Sequence, residues 1–529
     1  MKSVRAVIVG ALLAVPLAIV GGAGPASADV LSVVSGAADN AACADAPHPT
    51  ITQAIGCAAD GDTITVGPGT FLERVVVNKN LTIRGSGAGA TFIDGDGVNT
   101  LPGPAQVYVE AGGDVTLADL TVRDAGANND TARHYSIYLR GPGIGTATGT
   151  HTLSGVVVEG GGISRPDTGV YCYASAAEIV IEDSTLTEIA GNAVLLENCT
   201  GEVRIEGNDF DQGLVGDAAV YSMRYSGSES AAPQLVTGNR FSGAGLSYNG
   251  SFFGATETVG HFSNLEISDN DFSGMAIGVG IFNRSTLAGG ANGTIDDVVI
   301  SGNTFTGTGT SHGVRLTGLI TDVDLTGNTI TDQGVGVRLV TAVAGHTPTG
   351  VTASGNRIVG NVIGAETVAP ASLDARRNFW GCNEGPGAVG CDTVVGTVDA
   401  EPWLVLAFAP APAATVVEGG ATTFGVTTFV DSDDAEGLAG VPGTPEVVFA
   451  ATGGTIDPTA APLDGGQLSP ITFQADQGDG DAQLSATLDN ATITWTLEVT
   501  AEPTTPTPTP TPTPAPRALP ATATPTYTG

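Results

Sequence analysis

The sequence predicts an all-β chain: a solenoid of short, stacked parallel strands, then a small β-sandwich, then an unfolded Pro/Thr tail. Three observations predict it. One phrase, apolar-x-apolar, two residues, Asn, x, apolar, recurs between about residues 115 and 380. Glycine supplies 76 of the 529 residues, well above the usual ~7%, which suits many tight turns and few long helices. Beyond residue 404 the Asn phrase stops and longer alternating strands take over.

The N-terminus sets the compartment. Met1 to Arg5 is short and basic, Ala6 to Val20 is apolar, and Ala26-Ser27-Ala28 is a small-x-small cleavage signal. This is the pattern of a secretory leader, residues 1–28, and its apolar run is shorter than the ~20 residues that span a bilayer. Removing it takes Lys2 and Arg5 away, leaving 17 basic against 55 acidic residues, a formal charge of −38. So acidic a surface repels phosphate backbones and argues against nucleic acid as a partner. No later segment is long and apolar enough to span a membrane, and the oligomeric state is left open.

The first structural unit runs from 29 to 404. "PTITQAIGCAADGDTITVGPGTF", from Pro49, starts with a short amphipathic helix expected to cover the open end of the first coil. The coils follow. "VRIEGNDF", "PQLVTGNRF", "LEISDNDF", "VVISGNTF", "VDLTGNTI", "VTASGNRI" and "LDARRNFW" carry Asn208, Asn239, Asn270, Asn303, Asn328, Asn356 and Asn378, spaced 31, 31, 33, 25, 28 and 22 residues apart. Periods of this size mark a solenoid. Alternation at every second residue makes it one of strands. A four-residue strand cannot bury its face alone, but equivalent strands can stack about 4.8 Å apart, with inward residues in apolar columns. The asparagines are expected to form a ladder at one bend, each in a left-handed backbone and bonded to the next.

"NFWGCNEGPGAVGCDTVVGTVDAEPWL", Asn378 to Leu404, reads as the lid of that stack. An exposed sheet edge invites aggregation, and Phe379 and Trp380 offer bulk to cover the last layer, with Trp403 on a closing strand. Glu384, Asp392 and Glu401 are expected to face solvent or cap backbone N–H groups. Six cysteines in an exported chain suggest disulfides. Cys43 with Cys57 and Cys382 with Cys391 close short loops at the two ends. Cys172 with Cys199 is the remaining pair, but the repeat alignment puts these two three places out of register, so bonding requires a local bend.

The opening segment, the Asn repeats and the "NFWGCNEGPGAVGCD" ending together resemble the pectin-lyase-like superfamily, especially its exported bacterial β-helix-repeat group. The resemblance spans roughly residues 40 to 404 and implies a right-handed parallel β-helix. It says less about activity. The polygalacturonase branch is marked by NTD, DD, GHG and RxK motifs whose carboxylates act as acid and base. Here "SHGVRLTG" supplies only the His-Gly piece, making His312 and Arg315 the catalytic candidates without the Asp partners. The lyase branch uses calcium-binding carboxylates beside an Arg base, and no such cluster stands out.

Other chemistry is absent from the sequence. His48, His134, His151, His261, His312 and His346 show no metal-ligand spacing. Asp476, Asp479 and Asp481 cluster, yet Thr487 stands where an EF-hand needs Glu, so no cofactor is expected and calcium has no motif to hold it. Aligning the second strand of each repeat places Tyr138, Tyr171, Leu195, Tyr221, Arg315 and Arg338 at one outward position. Three tyrosines and two arginines there are candidates for a glycan-binding track, against lateral stacking that only stabilises the sheet.

Residues 405–500, ending "ATITWTLEVT", resemble a bacterial immunoglobulin-like module and suit one small sandwich. Residues 501–529, "EPTTPTPTPTPTPAP" onward, are an extended linker. Leu519 to Ala523 resembles a variant sortase signal without the apolar segment and basic tail such signals need, so plain secretion is favoured over wall attachment. The expectation is a secreted or cell-surface protein that binds polysaccharide or mediates adhesion without catalysis. The alternative is a diverged lyase or hydrolase acting on uronate-containing glycans.

Overall fold

The computed structural model describes residues 28–40, 42–43, 46–95, 105–123, 134–143, 146–160, 168–212, 218–223, 229–230, 232–249, 261–283, 295–342, 345–476, 478, 480–502 and short pieces of the tail. Residues 1–27, where a leader is expected, and most of the tail lie outside the described residues. Among those described, no helix is long and apolar enough to cross a membrane.

Three long parallel sheets form a right-handed parallel β-helix. Sheet A has 14 strands, from Val30–Val33 to Thr397–Asp399. Sheet B has 11, from Gly69–Phe71 to Arg357–Val359, and sheet C has 12, from Val75–Val77 to Val394–Val395. Among the described residues, eleven coils contribute one strand to each sheet, and the coils at the two ends fewer, so each sheet pairs coil to coil in register. Ile205, Val236, Ile267, Ile300 and Leu325 stack inward in sheet A. In sheet B the inward column is Phe210, Phe241, Phe272 and Phe305, rings parallel within 4–7° and 4.7 Å apart. All four are fully buried, worth about 1.5–3 kcal/mol each in area removed from water.

The bend from sheet A to sheet B carries the ladder. Asn208, Asn239, Asn270, Asn303, Asn328, Asn356 and Asn378 are each at most 2% exposed. In every step the Oδ1 of one Asn accepts both the backbone N–H and the side-chain Nδ2 of the Asn before it, at 2.8–3.0 Å. Ser184 extends the row upstream, its N–H donating to Asn208 Oδ1. The left-handed backbone lies one residue earlier than expected. Gly207, Gly238, Asp269, Gly302, Gly327, Gly355 and Arg377 have φ between 56° and 68°, so these residues turn the chain while the asparagines fill the space behind the turn. Gly or Asp dominates there because a short or absent side chain tolerates that conformation.

The helix Ile51–Cys57 closes the first coil, burying Ile51, Ala54 and Ile55. The Glu73 carboxylate accepts from the N–H groups of Ile51 and Thr52 at 2.8 and 2.9 Å. At the other end Lys79, the only lysine after Lys2, donates to the Ile55 and Gly56 carbonyls. Both placements follow the helix dipole. All three disulfides, Cys43–Cys57, Cys172–Cys199 and Cys382–Cys391, are present. The middle one spans the register offset through a bend at Asn198, which has φ 54°.

The last coil is shared between two cores. Trp380 is fully buried in the β-helix core, whereas its neighbour Phe379 packs in the core of the C-terminal unit. The lid therefore faces both ways, beyond the expectation that both rings cover the solenoid. Trp403 Nε1 donates to the Asn383 carbonyl at 2.9 Å. Asp392 is buried and its carboxylate accepts from the N–H and Nδ2 of Asn361, ending a second bend row that starts at Gln333. From Leu404 on, strands form a four-stranded and a five-stranded sheet around their own core. Arg357 of sheet B forms a two-point ion pair with Asp489 of this unit, and Asn490 bonds the Gly381 and Gly390 carbonyls.

Candidate functional site

The outward face of sheet C carries one continuous column. Paired strand by strand it reads Val76, Tyr108, Tyr138, Tyr171, Leu195, Tyr221, Ser247, Gly280, Arg315, Arg338, Glu366 and Val395. The five residues of the expected track, Tyr138, Tyr171, Tyr221, Arg315 and Arg338, all stand in it, but in different surroundings.

The upstream part is an aromatic cluster. Tyr135 and Tyr171 stack at 4.3 Å, Tyr138 and Tyr171 lie 4.8 Å apart, and Tyr108 meets Tyr138 edge-on at 5.0 Å. Tyr138 is 8% exposed and Tyr171 6%, so their faces are spent on one another. The Tyr171 hydroxyl donates to Glu197 at 2.7 Å. Burial first, then that bond, hold its pKa far above the ordinary tyrosine value, and burial does the same for Tyr138. This geometry matches lateral stacking for Tyr138 and Tyr171 and leaves Tyr221 as the tyrosine of the track that is only partly buried.

Downstream of Tyr221 the column drops to Ser247 and Gly280 before rising again at Arg315. Three sheet spacings separate Tyr221 from Arg315, about 14 Å. A cavity of about 240 Å³ opens there, lined by Ala244, Gly245, Leu246, Ser247, Ile277, Gly280 and Phe282 among others. A Cβ at Gly280 would stand 2.6 Å from the Phe282 ring, so a larger residue there displaces that ring. Gly278 is small for a core reason: its Cβ would collide with Phe305 of the stacked column. Core packing at the corner and a shallow floor on the outer face thus arise from the same glycine-rich strand, Ile277–Asn283.

The downstream rim is charged. The Arg315 guanidinium lies 5.8 Å from the Phe282 ring centre, within cation–π range. Arg338 pairs with Glu366 at 2.8 Å. His312 sits at the corner before Arg315. Burial, then the Arg338 and Arg315 charges, lower its pKa below the ordinary value, with Glu366 opposing. Its imidazole is therefore neutral at pH 7, and its Nδ1 has no hydrogen-bond partner. His312 and Arg315 are brought together, but the carboxylates on this face are engaged, Glu197 with Tyr171 and Glu366 with Arg338.

Among the described residues the one cluster with metal-ligand spacing is Cys382, Glu384 and Cys391. Both sulfurs are in a disulfide, so no thiolate is available to a metal. Ser247, Gly280, Phe282 and Glu366 escaped the sequence reading. A small outward residue leaves no chemical mark in a repeat alignment, although Gly280 inside the alternating "IGVGIFN" is a readable signal for close approach.

No protein-family model matches the chain, and no curated protein matches it in sequence. Among solved structures it is similar to the catalytic unit of a thermostable GH87 α-1,3-glucanase from Streptomyces thermodiastaticus (18% identity, 72% of this chain and 70% of that one, TM-score 0.43). It is also similar to the periplasmic alginate epimerase AlgG (13% identity, 64% and 77%, TM-score 0.36) and to the tailspike of E. coli bacteriophage HK620 in complex with a pentasaccharide (13%, 84% and 82%, TM-score 0.39). These are partial likenesses. The assignment of the β-helix rests on the chain's own three in-register sheets.

Proposed function

We propose that this is an exported protein that binds polysaccharide without cleaving it, holding a glycan segment over the floor formed by Ser247 and Gly280. One observation carries the reading: the outward column breaks at two small residues, bordered by Tyr221 on one side and by Phe282 and Arg315 on the other. A sugar ring needs an apolar surface to lie on and fixed polar groups around its rim. Tyr221 offers the first, Ser247 and Arg315 the second. The leader signature and the three disulfides support export, and the C-terminal unit with its Pro/Thr tail serves to present the helix at a cell surface.

The test is affinity electrophoresis in gels containing neutral α- and β-glucans, galactan or polyuronate. The expectation is retardation by at least one of them, lost about tenfold or more with Ser247→Trp, which fills the floor, and weakened by Arg315→Ala. Retardation unchanged by Ser247→Trp would remove the site. The catalytic alternative rests on His312, whose imidazole is held neutral beside Arg315 and Arg338. Product release abolished by His312→Ala, with binding retained, would establish that alternative instead.

A further inference from the structure

We infer that hydrolysis of the Ala28–Asp29 bond turns the Asp29 nitrogen into an α-ammonium that pairs with the buried carboxylate of Asp62 and latches the first coil. The inference rests on reading residues 1–28 as a leader removed on export. Asp62 is 6% exposed. Its Oδ2 accepts from the Ala59 N–H at 2.7 Å, and its Oδ1 accepts from the Asp29 N–H at 2.8 Å. No side-chain cation pairs with it among the described residues, and Lys79, the nearby base, is committed to the helix carbonyls. A buried carboxylate held only by neutral donors is an anion site short of a cation.

The position of the cleavage signal supplies that cation. Ala26-Ser27-Ala28 ends one residue before the nitrogen that already touches Asp62. A leader peptidase adds water across the amide: Ala28 leaves with the new carboxylate, and Asp29 keeps the amine, which takes up a proton at neutral pH. One of the three ammonium hydrogens replaces the amide hydrogen on Oδ1. The others reach a polar cavity of about 550 Å³ lined by Asp29, His48, Cys43, Cys57 and Asp62. The latch anchors a strand that is otherwise a sheet end. Thr63 N–H donates to the Asp29 carbonyl at 2.9 Å, and Val30–Val33 pairs along Thr63–Val66. An uncleaved chain has a neutral amide at this point, so the N-terminal coil tightens only after export.

The test uses the exported chain as processed, a version with Ala-Gly placed before Asp29, and Asp62→Asn in both. Intact mass locates the terminus, and hydrogen exchange reads the Thr63 amide. A charge-assisted bond is about twice as strong as a neutral one, so Thr63 is expected to exchange about 3–10-fold more slowly in the native-terminus chain than in the extended one. Asp62→Asn is expected to abolish that difference. A mature terminus other than Asp29 overturns the leader reading on which the latch rests. An Asp29 terminus with equal exchange in both versions, or a difference that survives Asp62→Asn, overturns the latch alone.

Discussion

Replacing Asn270 by Ala tests the ladder at its centre. Its Oδ1 accepts from Asn239 N and Nδ2 at 2.9 Å each. Its Nδ2 donates to the Val236 carbonyl at 2.8 Å and to Asn303 Oδ1 at 2.9 Å. The substitution removes all four bonds and leaves Asn239 N–H and the Val236 carbonyl short of a partner in a site 2% exposed. At about 1 kcal/mol net per bond, with a further penalty for each orphaned group, the cost is about 4–6 kcal/mol. Asn270→Asp keeps the shape and the acceptor but loses the donor and sets a charge against Asn303 Oδ1, so it is expected to cost at least as much. Denaturant unfolding followed by far-ultraviolet circular dichroism, with Ser273→Ala as a control on the same coil, measures both. A loss under about 1 kcal/mol for Asn270→Ala would refute the cooperative row.

Three other expectations concern the cores, the joint and the pH response. Phe272→Ala opens a gap in the stacked column and is expected to cost about 3–5 kcal/mol, read in the same denaturation experiment. Arg357→Ala leaves Asp489, with its side chain 12% exposed, as an unpaired charge between the two units, a loss of about 3–5 kcal/mol; limited proteolysis is expected to release the C-terminal unit sooner, with the β-helix intact. Burial pushes the Asp392 pKa up from 3.8 to about 6, against its bonds from Asn361 and Gly360. The folded state thus holds that proton more tightly than the unfolded one. The resulting stabilisation is present below pH 4 and lost as pH rises through about 6, and the gap is worth on the order of 3 kcal/mol. His312 runs the other way: its lowered pKa means the unfolded state binds protons more readily, so stability is lost as pH falls below the ordinary histidine value of 6.5. Asp392→Asn is expected to flatten the first trend and His312→Gln the second, each measured as the midpoint of urea unfolding between pH 4 and 8.

Legibility in the sequence followed chemical regularity. The Asn row repeats one residue type over seven successive coils and the Phe column over four, because hydrogen bonding and ring stacking between neighbours work best when the neighbours are identical. The Asn row therefore stands out without coordinates, whereas the inward positions read only as mixed apolar columns. The left-handed residue before each Asn was harder to place, since Gly, Asp and Arg377 all occupy it and only their backbone is alike. The outward tyrosines were found by register, but their burial was not, because the pleat tells which face a side chain takes and nothing about what lies over that face. The floor at Ser247 and Gly280 was invisible for the opposite reason: it is defined by side chains that are missing. Phe379 and Trp380 read as one hydrophobic plug until the three-dimensional arrangement divided them between two cores.

The most direct measurement is a crystal structure of the exported chain soaked with oligosaccharides cut from whichever polysaccharide retards it in the gel. The account predicts a sugar ring over Ser247 and Gly280, in van der Waals contact with Tyr221 and within hydrogen-bonding reach of Arg315. Sugar bound on sheet A, on sheet B or on the C-terminal unit, with that floor left open, would contradict it.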